Sequence, residues 1–175
     1  MLATTKTRMI LTIDVHYKAA YAKTVLLFFE NWYSEQPTEI VSHSTEDVMD
    51  YEPGAFYKRE LPCILNALSQ ANLENLEAII VDGHVFVDND GKLGLGGHLF
   101  EALQKKYPII GVAKTKFQSN QETVVEILRG ESKNPLYVSA MGLDKEVAAQ
   151  NVQKMFGEFR LPYLLKLMDQ ITKED

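Results

Sequence analysis

The run MILTIDV, residues 9–15, and the run LEAIIVD, residues 76–82, decide how this chain is read. Both are short, apolar and rich in β-branched residues, the pattern of strands buried on both faces. Each also carries one acid. Asp14 interrupts the first run and Asp82 closes the second. A charge placed in such a strand is costly unless it finds a partner. The bland partner for Asp14 is a neighbouring cation or backbone donor. For Asp82, followed by Gly83, it is turn chemistry.

Working outward, residues 24–32 (TVLLFFENW) and 40–44 read as two more strands, joined to the first by short hairpin-like connections. Pro53–Gly54 marks a turn before a helix over 58–70, in which Leu61, Leu65 and Leu68 recur at helical spacing. Glu60 sits at the entry of that helix, where an acid suits the helix dipole. A glycine-rich entrance leads to a helix over 94–106, then a strand over 108–113 and a short strand over 136–139. Residues 144–156 read as a helix with Val147, Val152 and Phe156 as its inner stripe. Pro162 opens a final helix with Leu164, Leu165, Leu167, Met168 and Ile171 as apolar positions. Residues 114–122 and 129–135 read as polar loops. Strands first, then alternating helix and strand, imply a single α/β domain over residues 1–175 with a mixed sheet.

Composition narrows the function classes. Eighteen cations against 24 acids give a net charge of −6. That counts against a surface wholly devoted to nucleic acid, but leaves room for a local basic track. Acid clusters that hold divalent cations also push the charge negative. The single cysteine, Cys63, excludes an internal disulfide and reads as a small buried hydrophobe. No apolar run is long enough for a membrane span and no leader-like segment opens the chain, so a cytoplasmic location is expected.

Two strand acids and one helix-start acid can meet at one end of a sheet. Three carboxylates held together repel, and a divalent cation relieves that repulsion. Mg2+ fits best, since it takes oxygen ligands and bridges carboxylates to phosphates. Such a site can activate water and stabilise charge on a phosphodiester.

The order of four motifs gives this reading a family. LTIDVHY around Asp14, YEPGAFYKRELP around Glu60, IIVDGH around Asp82 and IIGVAK ending at Lys114 resemble the endonuclease V family, and RLPYLLKL from Arg160 resembles its closing segment. The resemblance implies a ribonuclease H-like fold, with a mixed five-stranded sheet flanked by helices. It implies a Mg2+-dependent endonuclease (Mn2+ being an alternative ion) that hydrolyses a phosphodiester of DNA or RNA near inosine, a repair-type activity. It assigns Asp14, Glu60 and Asp82 to the metal and Lys114 to catalysis. Tyr51, Pro53 and Gly54 match the wedge loop beside the displaced base. Lys58 and Arg59 are candidate phosphate contacts, and His84, two residues past Asp82, a candidate substrate contact. Lys105, Lys106, Lys116, Arg129 and Lys133 would extend a basic track. A monomer is expected.

The chain also departs from that family. Asn89, Asp90 and Gly91 stand where a His-Pro-Arg element is expected. No histidine follows His98, and Glu52 replaces an apolar wedge residue. These departures fit either a diverged nuclease or a non-catalytic relative that binds nucleic acid or protein. A hydrolase of a small phosphate substrate is a third reading, distinguished by an enclosed pocket in place of an open groove.

Overall fold

Three consecutive strands, β1 (Met9–Tyr17), β2 (Ala22–Phe29) and β3 (Glu39–Thr45), pair antiparallel as a meander. The computed structural model describes residues 8–175, so the first seven residues of the expected domain lie outside the described residues. Helix α1 (Tyr57–Ser69) then crosses to β4 (Leu76–Asp82), which pairs parallel with β1. Helix α2 (Leu95–Ala102) leads to β5 (Ile109–Ala113), parallel to β4. Two more strands, β6 (Val125–Ile127) and β7 (Leu136–Met141), add antiparallel beyond β5. Helices α3 (Lys145–Lys154) and α4 (Tyr163–Lys173) complete the described chain. The sheet order is β3-β2-β1-β4-β5-β7-β6.

Side-chain alternation along the strands splits the core into two layers. Ile10, Ile80, Ile110 and Val138 face α3 and α4, meeting Ala148, Val152, Leu164 and Met168. Leu11, Ile13, Ile79, Val81 and Ile109 face α1 and α2, meeting Cys63, Ile64, Ala67 and Leu99. The central strands are covered on both sides, which is why their sequences are continuously apolar and do not alternate. This is an α/β, ribonuclease H-like fold. Its sheet has seven strands where the family resemblance implied five: the first five strands form the expected core and β6 and β7 extend it.

Several elements differ from their sequence reading. β2 stops at Phe29, because Asn31 turns the chain by accepting a bond from the Tyr33 amide, so Trp32 packs into the core from a turn. α2 ends at Ala102, and Gln104 and Lys105 leave it in the left-handed conformation (φ 56° and 60°). The inner stripe of α3 is Ala148, Ala149 and Val152, while Val147 and Phe156 are 42% and 43% exposed. Met155 takes the core position expected of Phe156. The short β6 and a 3-10 segment at Gln118–Thr123 have no period readable in so few residues.

Gly111 in β5 is the position at which the sheet admits the chain leaving β4. A Cβ there would lie 2.5 Å from the Gly83 carbonyl oxygen and 2.9 Å from Ser139 Oγ. Ser139 Oγ in turn accepts the Val85 amide at 3.0 Å. The turn that follows Asp82 is therefore laid directly on β5 and held from β7. Gly111→Ala must push this turn outward and is expected to destabilise the protein by about 1–3 kcal/mol in urea unfolding. A variant as stable as the parent would show that the turn is not packed on the glycine.

Candidate active site

The register of the parallel strands brings the two strand acids together. Ile13 pairs with Val81, so Asp14 and Asp82 follow side by side where the pairing of β1 with β4 ends, Asp82 being the last residue of β4. Asp82 pairs with Val112, two residues before Lys114 on the next strand. Asp14, Asp82 and Lys114 line one small cleft beside Leu161, Leu165, Met168 and Asp169. Glu60, at the start of α1, approaches from the other face of the sheet and is 7% exposed. It opens into a wider groove of about 990 Å³ that shares Asp82 and Lys114 with the cleft.

Electrostatics reports the crowding of these acids. Burial, then the charges of Asp82 and Asp169, push Asp14 up to about 7, against an opposing bond from the Val15 amide. Burial, then Asp14 and Asp82, push Glu60 up to about 8. Asp82 is also raised by the protein around it, with Lys114 pulling in the opposite direction, although its carboxylate still reaches solvent through the groove. The charges of the three acids act on one another. Among the described residues no group of three or more His, Cys, Asp or Glu side chains is arranged to hold a metal ion.

Helix α4 supplies what the sequence reading missed. Asp169 faces the same cleft. The buried Thr172 hydroxyl lies 3.2 Å from Asp14 Oδ2 and 2.7 Å from the Asp169 carbonyl oxygen. The hairpin between β1 and β2 fixes this helix: Lys18 and Lys23 donate to the carbonyls of Ile171, Lys173 and Glu174 at its C-terminal end. Cations there satisfy free carbonyls and suit the helix dipole. The signal for Asp169 was present as an acid one residue past Met168 in the apolar stripe of the last helix, but nothing in its spacing links it to Asp14.

The wedge-like turn is built as its residues demand. Pro53 and Gly54 occupy the centre of a turn closed by the Ala55 amide on the Glu52 carbonyl, with Gly54 at φ 78°. Tyr51, 58% exposed, and Phe56 present aromatic faces to the groove. Behind them Tyr57 stacks on His98 with ring centroids 3.6 Å apart. Burial lowers the proton affinity of His98, as expected of a packed helix-start histidine. Gly94, Gly96 and Gly97 let α2 rest on the backbone of His84 and Val85.

Three of the candidate contacts sit differently from the sequence reading. Arg59 turns inward, its guanidinium 3.6 Å from the centre of the Tyr17 ring. Lys58 is exposed but pairs with Glu52 at 3.3 Å. Arg129 is buried and belongs to no basic track: its guanidinium donates to the carbonyls of Met155, Gly157, Phe159 and Arg160. A cation that closes a loop this way must leave the surface. His84 lines the groove, but both ring nitrogens are engaged. Nε2 lies 2.8 Å from the Thr115 carbonyl oxygen and Nδ1 lies 3.2 Å from the Asn120 amide nitrogen. Burial lowers the proton affinity of the ring, and a carbonyl oxygen at Nε2 opposite an amide donor at Nδ1 fits the tautomer with its proton on Nε2.

Comparison with known proteins bears on the fold and on the family. Human ENDOV superimposes with a TM-score of 0.75 at 20% identity, over 99% of this chain and 86% of that one. Endonuclease V of Ciona intestinalis, solved with a 24mer DNA containing an inosine followed by a ribo-adenosine, gives 0.76 at 16% identity, over 97% and 86%. The enzyme of Streptomyces avermitilis gives 0.71 at 20% identity, over 95% and 80%. No curated protein matches in sequence. At these identities the structures speak for the fold alone. The sequence model of Endonuclease V, however, matches residues 2–170, nearly the whole chain. The chain belongs to the endonuclease V family.

Proposed function

We propose that this protein is a divalent-cation-dependent endonuclease that hydrolyses a phosphodiester of DNA or RNA beside inosine or another altered base. The observation that carries the reading is the set of acids around Lys114. Asp14, Asp82 and Asp169 line a cleft with it, and Glu60, Asp82 and Lys114 line the adjoining open groove whose other wall is the Tyr51–Phe56 turn. An open groove suits a polymer better than a small phosphate ester. The Ciona relative's DNA contains an inosine, which supports the same choice of substrate.

The donors match a hard cation in kind. They are carboxylate oxygens only, and the raised proton affinity of Asp14 and Glu60 marks negative charge that lacks full compensation. Asp14, Glu60 and Asp82 would hold Mg2+ or Mn2+, with Asp169 beside them. When bound, the cation supplies charge neutralisation at the phosphodiester and activation of water. Lys114 offsets charge near the scissile phosphate. Tyr51 and Phe56 offer ring faces against which bases stack. Pro53 and Gly54 hold the turn that carries them. His84, with its ring nitrogens satisfied, contributes its ring to the groove wall and fixes the neighbouring loop.

A second reading is a relative that binds nucleic acid without cutting it. One observation favours it: Glu52 of the wedge pairs with Lys58, an exposed cation at the start of α1.

Fluorescent single-stranded DNA and RNA, with and without one inosine, separate the two readings. The expected result is nicking beside inosine in Mg2+, none in EDTA, and none from folded Asp14→Ala, Glu60→Ala or Asp82→Ala. Retention of inosine-strand binding by a wild-type protein that cuts nothing would establish the second reading. Glu52→Gln is expected to tighten oligonucleotide binding about two- to fivefold at low salt, with the gain disappearing at high salt. No gain at low salt would mean that Lys58 makes no phosphate contact.

The pH dependence of stability is a further check. Folding raises the proton affinity of Asp14 and Glu60, so protonation favours the folded chain. Their contribution is complete below the ordinary values of 3.8 and 4.5 and is lost as pH rises through about 7 and about 8. Cation-free protein is expected to lose about 1–3 kcal/mol across that window, less in Glu60→Gln. Mg2+ is expected to restore stability mainly at the alkaline end. A profile that Glu60→Gln leaves unchanged would rule out the buried charge as its source.

A further inference from the structure

We propose that Arg160 is a positioning residue for Lys114, fixing the lysine relative to the acids from the segment that leads into α4. This rests on the reading of Lys114 as the cation beside the scissile phosphate. The pairing of β5 with β7 ends at Ala113 and Tyr137, so Lys114 is the first residue past the ladder. Its carbonyl is held by Arg160, whose Nη2 lies 2.6 Å from the Lys114 oxygen and 2.7 Å from the Pro135 oxygen. One guanidinium nitrogen thereby ties the end of β5 to the residue that precedes β7. Charge-assisted bonds from a planar guanidinium are strong and directional.

The next carbonyl is fixed independently. Thr115 O is 2.8 Å from His84 Nε2, and His84 is braced by the fully buried Asn120, which also donates to the Phe86 carbonyl. Two consecutive carbonyls held by different partners set the peptide planes after Lys114 and after Thr115. They therefore restrict the backbone that aims the Lys114 side chain. Arg160 is itself anchored, because Arg129 donates to the carbonyls of Phe159 and Arg160 on either side of its peptide link. Three residues later α4 begins, and that helix carries Asp169 and Thr172. Arg160 thus joins the lysine and the helix-borne acid into one rigid unit. Its Nη2 is engaged with two backbone oxygens and its Nε is buried, which separates it from the groups that touch substrate.

Steady-state cleavage of the inosine oligonucleotide tests this with Arg160→Ala, Arg160→Lys, Lys114→Ala and the Arg160→Ala/Lys114→Ala double variant. The expected result is a kcat lowered about 10- to 100-fold in Arg160→Ala with KM within about twofold, the scale typical of residues that orient an active group. Arg160→Lys, which keeps the charge but loses the planar fork, recovers part of the rate. In the Lys114→Ala background the arginine substitution adds almost nothing, the signature of two residues acting as one. Multiplying effects, or a loss confined to KM, would overturn the proposal. A Lys114→Ala enzyme with full kcat would instead remove the lysine reading on which it rests. Backbone NMR order parameters provide an arm independent of catalysis. In Arg160→Ala, or in Arg160→Lys if the alanine variant does not fold, they are expected to fall at residues 114–117 and not across β7. Unchanged order at 114–117 would overturn the clamp whether or not the protein cuts.

Discussion

Parallel pairing of β1 with β4 is the constraint on which the rest of this molecule depends. Once Ile13 lies beside Val81, the following residues must lie side by side, and both are aspartates. The two central strands are apolar on both faces because helices cover both faces. The same cover takes water away from Asp14, while Asp82 keeps access to solvent through the groove. Burial and mutual repulsion are thus consequences of the topology, and the raised proton affinities of Asp14 and Glu60 are their measure. Open α/β sheets place ligands at the carboxyl ends of parallel strands for the same reason: the chain must leave the sheet there, and the gap between departing segments forms a crevice.

The surrounding structure organises that crevice with backbone carbonyls as the points of attachment. Lys18 and Lys23 hold the end of α4, Arg129 holds the loop before it, and Arg160 and His84 hold the segment after β5. Basic side chains that sequence alone offers as a nucleic-acid track are partly spent in this way. What remains exposed around the groove is a smaller set, consistent with a protein of net charge −6. Recognition by such a surface leans on groove shape and aromatic faces more than on a broad positive field.

Much of the fold was legible because its strongest signals are local. MILTIDV and LEAIIVD announce buried strands by composition, and Pro53–Gly54 announces its turn by dihedral preference. The places that misled are those where tertiary contacts decide. β2 yields to the Asn31 turn, α3 buries its alanines and Met155 in preference to Val147 and Phe156, and β6 is strand only because β7 lies beside it. Within the candidate site, Asp14, Glu60 and Asp82 stand out as charges in apolar or helix-start settings. Asp169, Thr172 and Arg160 do not, because an exposed-looking acid, a threonine and an arginine on or before the last helix have no local oddity. Their importance lies in what they meet elsewhere in the chain: Thr172 meets Asp14, 158 positions away, and Arg160 meets Lys114, 46 positions away.

The bond between Thr172 and Asp14 joins residues 158 positions apart. Its consequence is a matter of timing. During synthesis β1 and β2 emerge and can pair well before α4, the helix that closes over Asp14. Closing so long a loop is entropically costly and slow relative to local pairing. A nascent chain therefore carries its strand acids without their helical cover, and the cleft assembles only when the final helix docks.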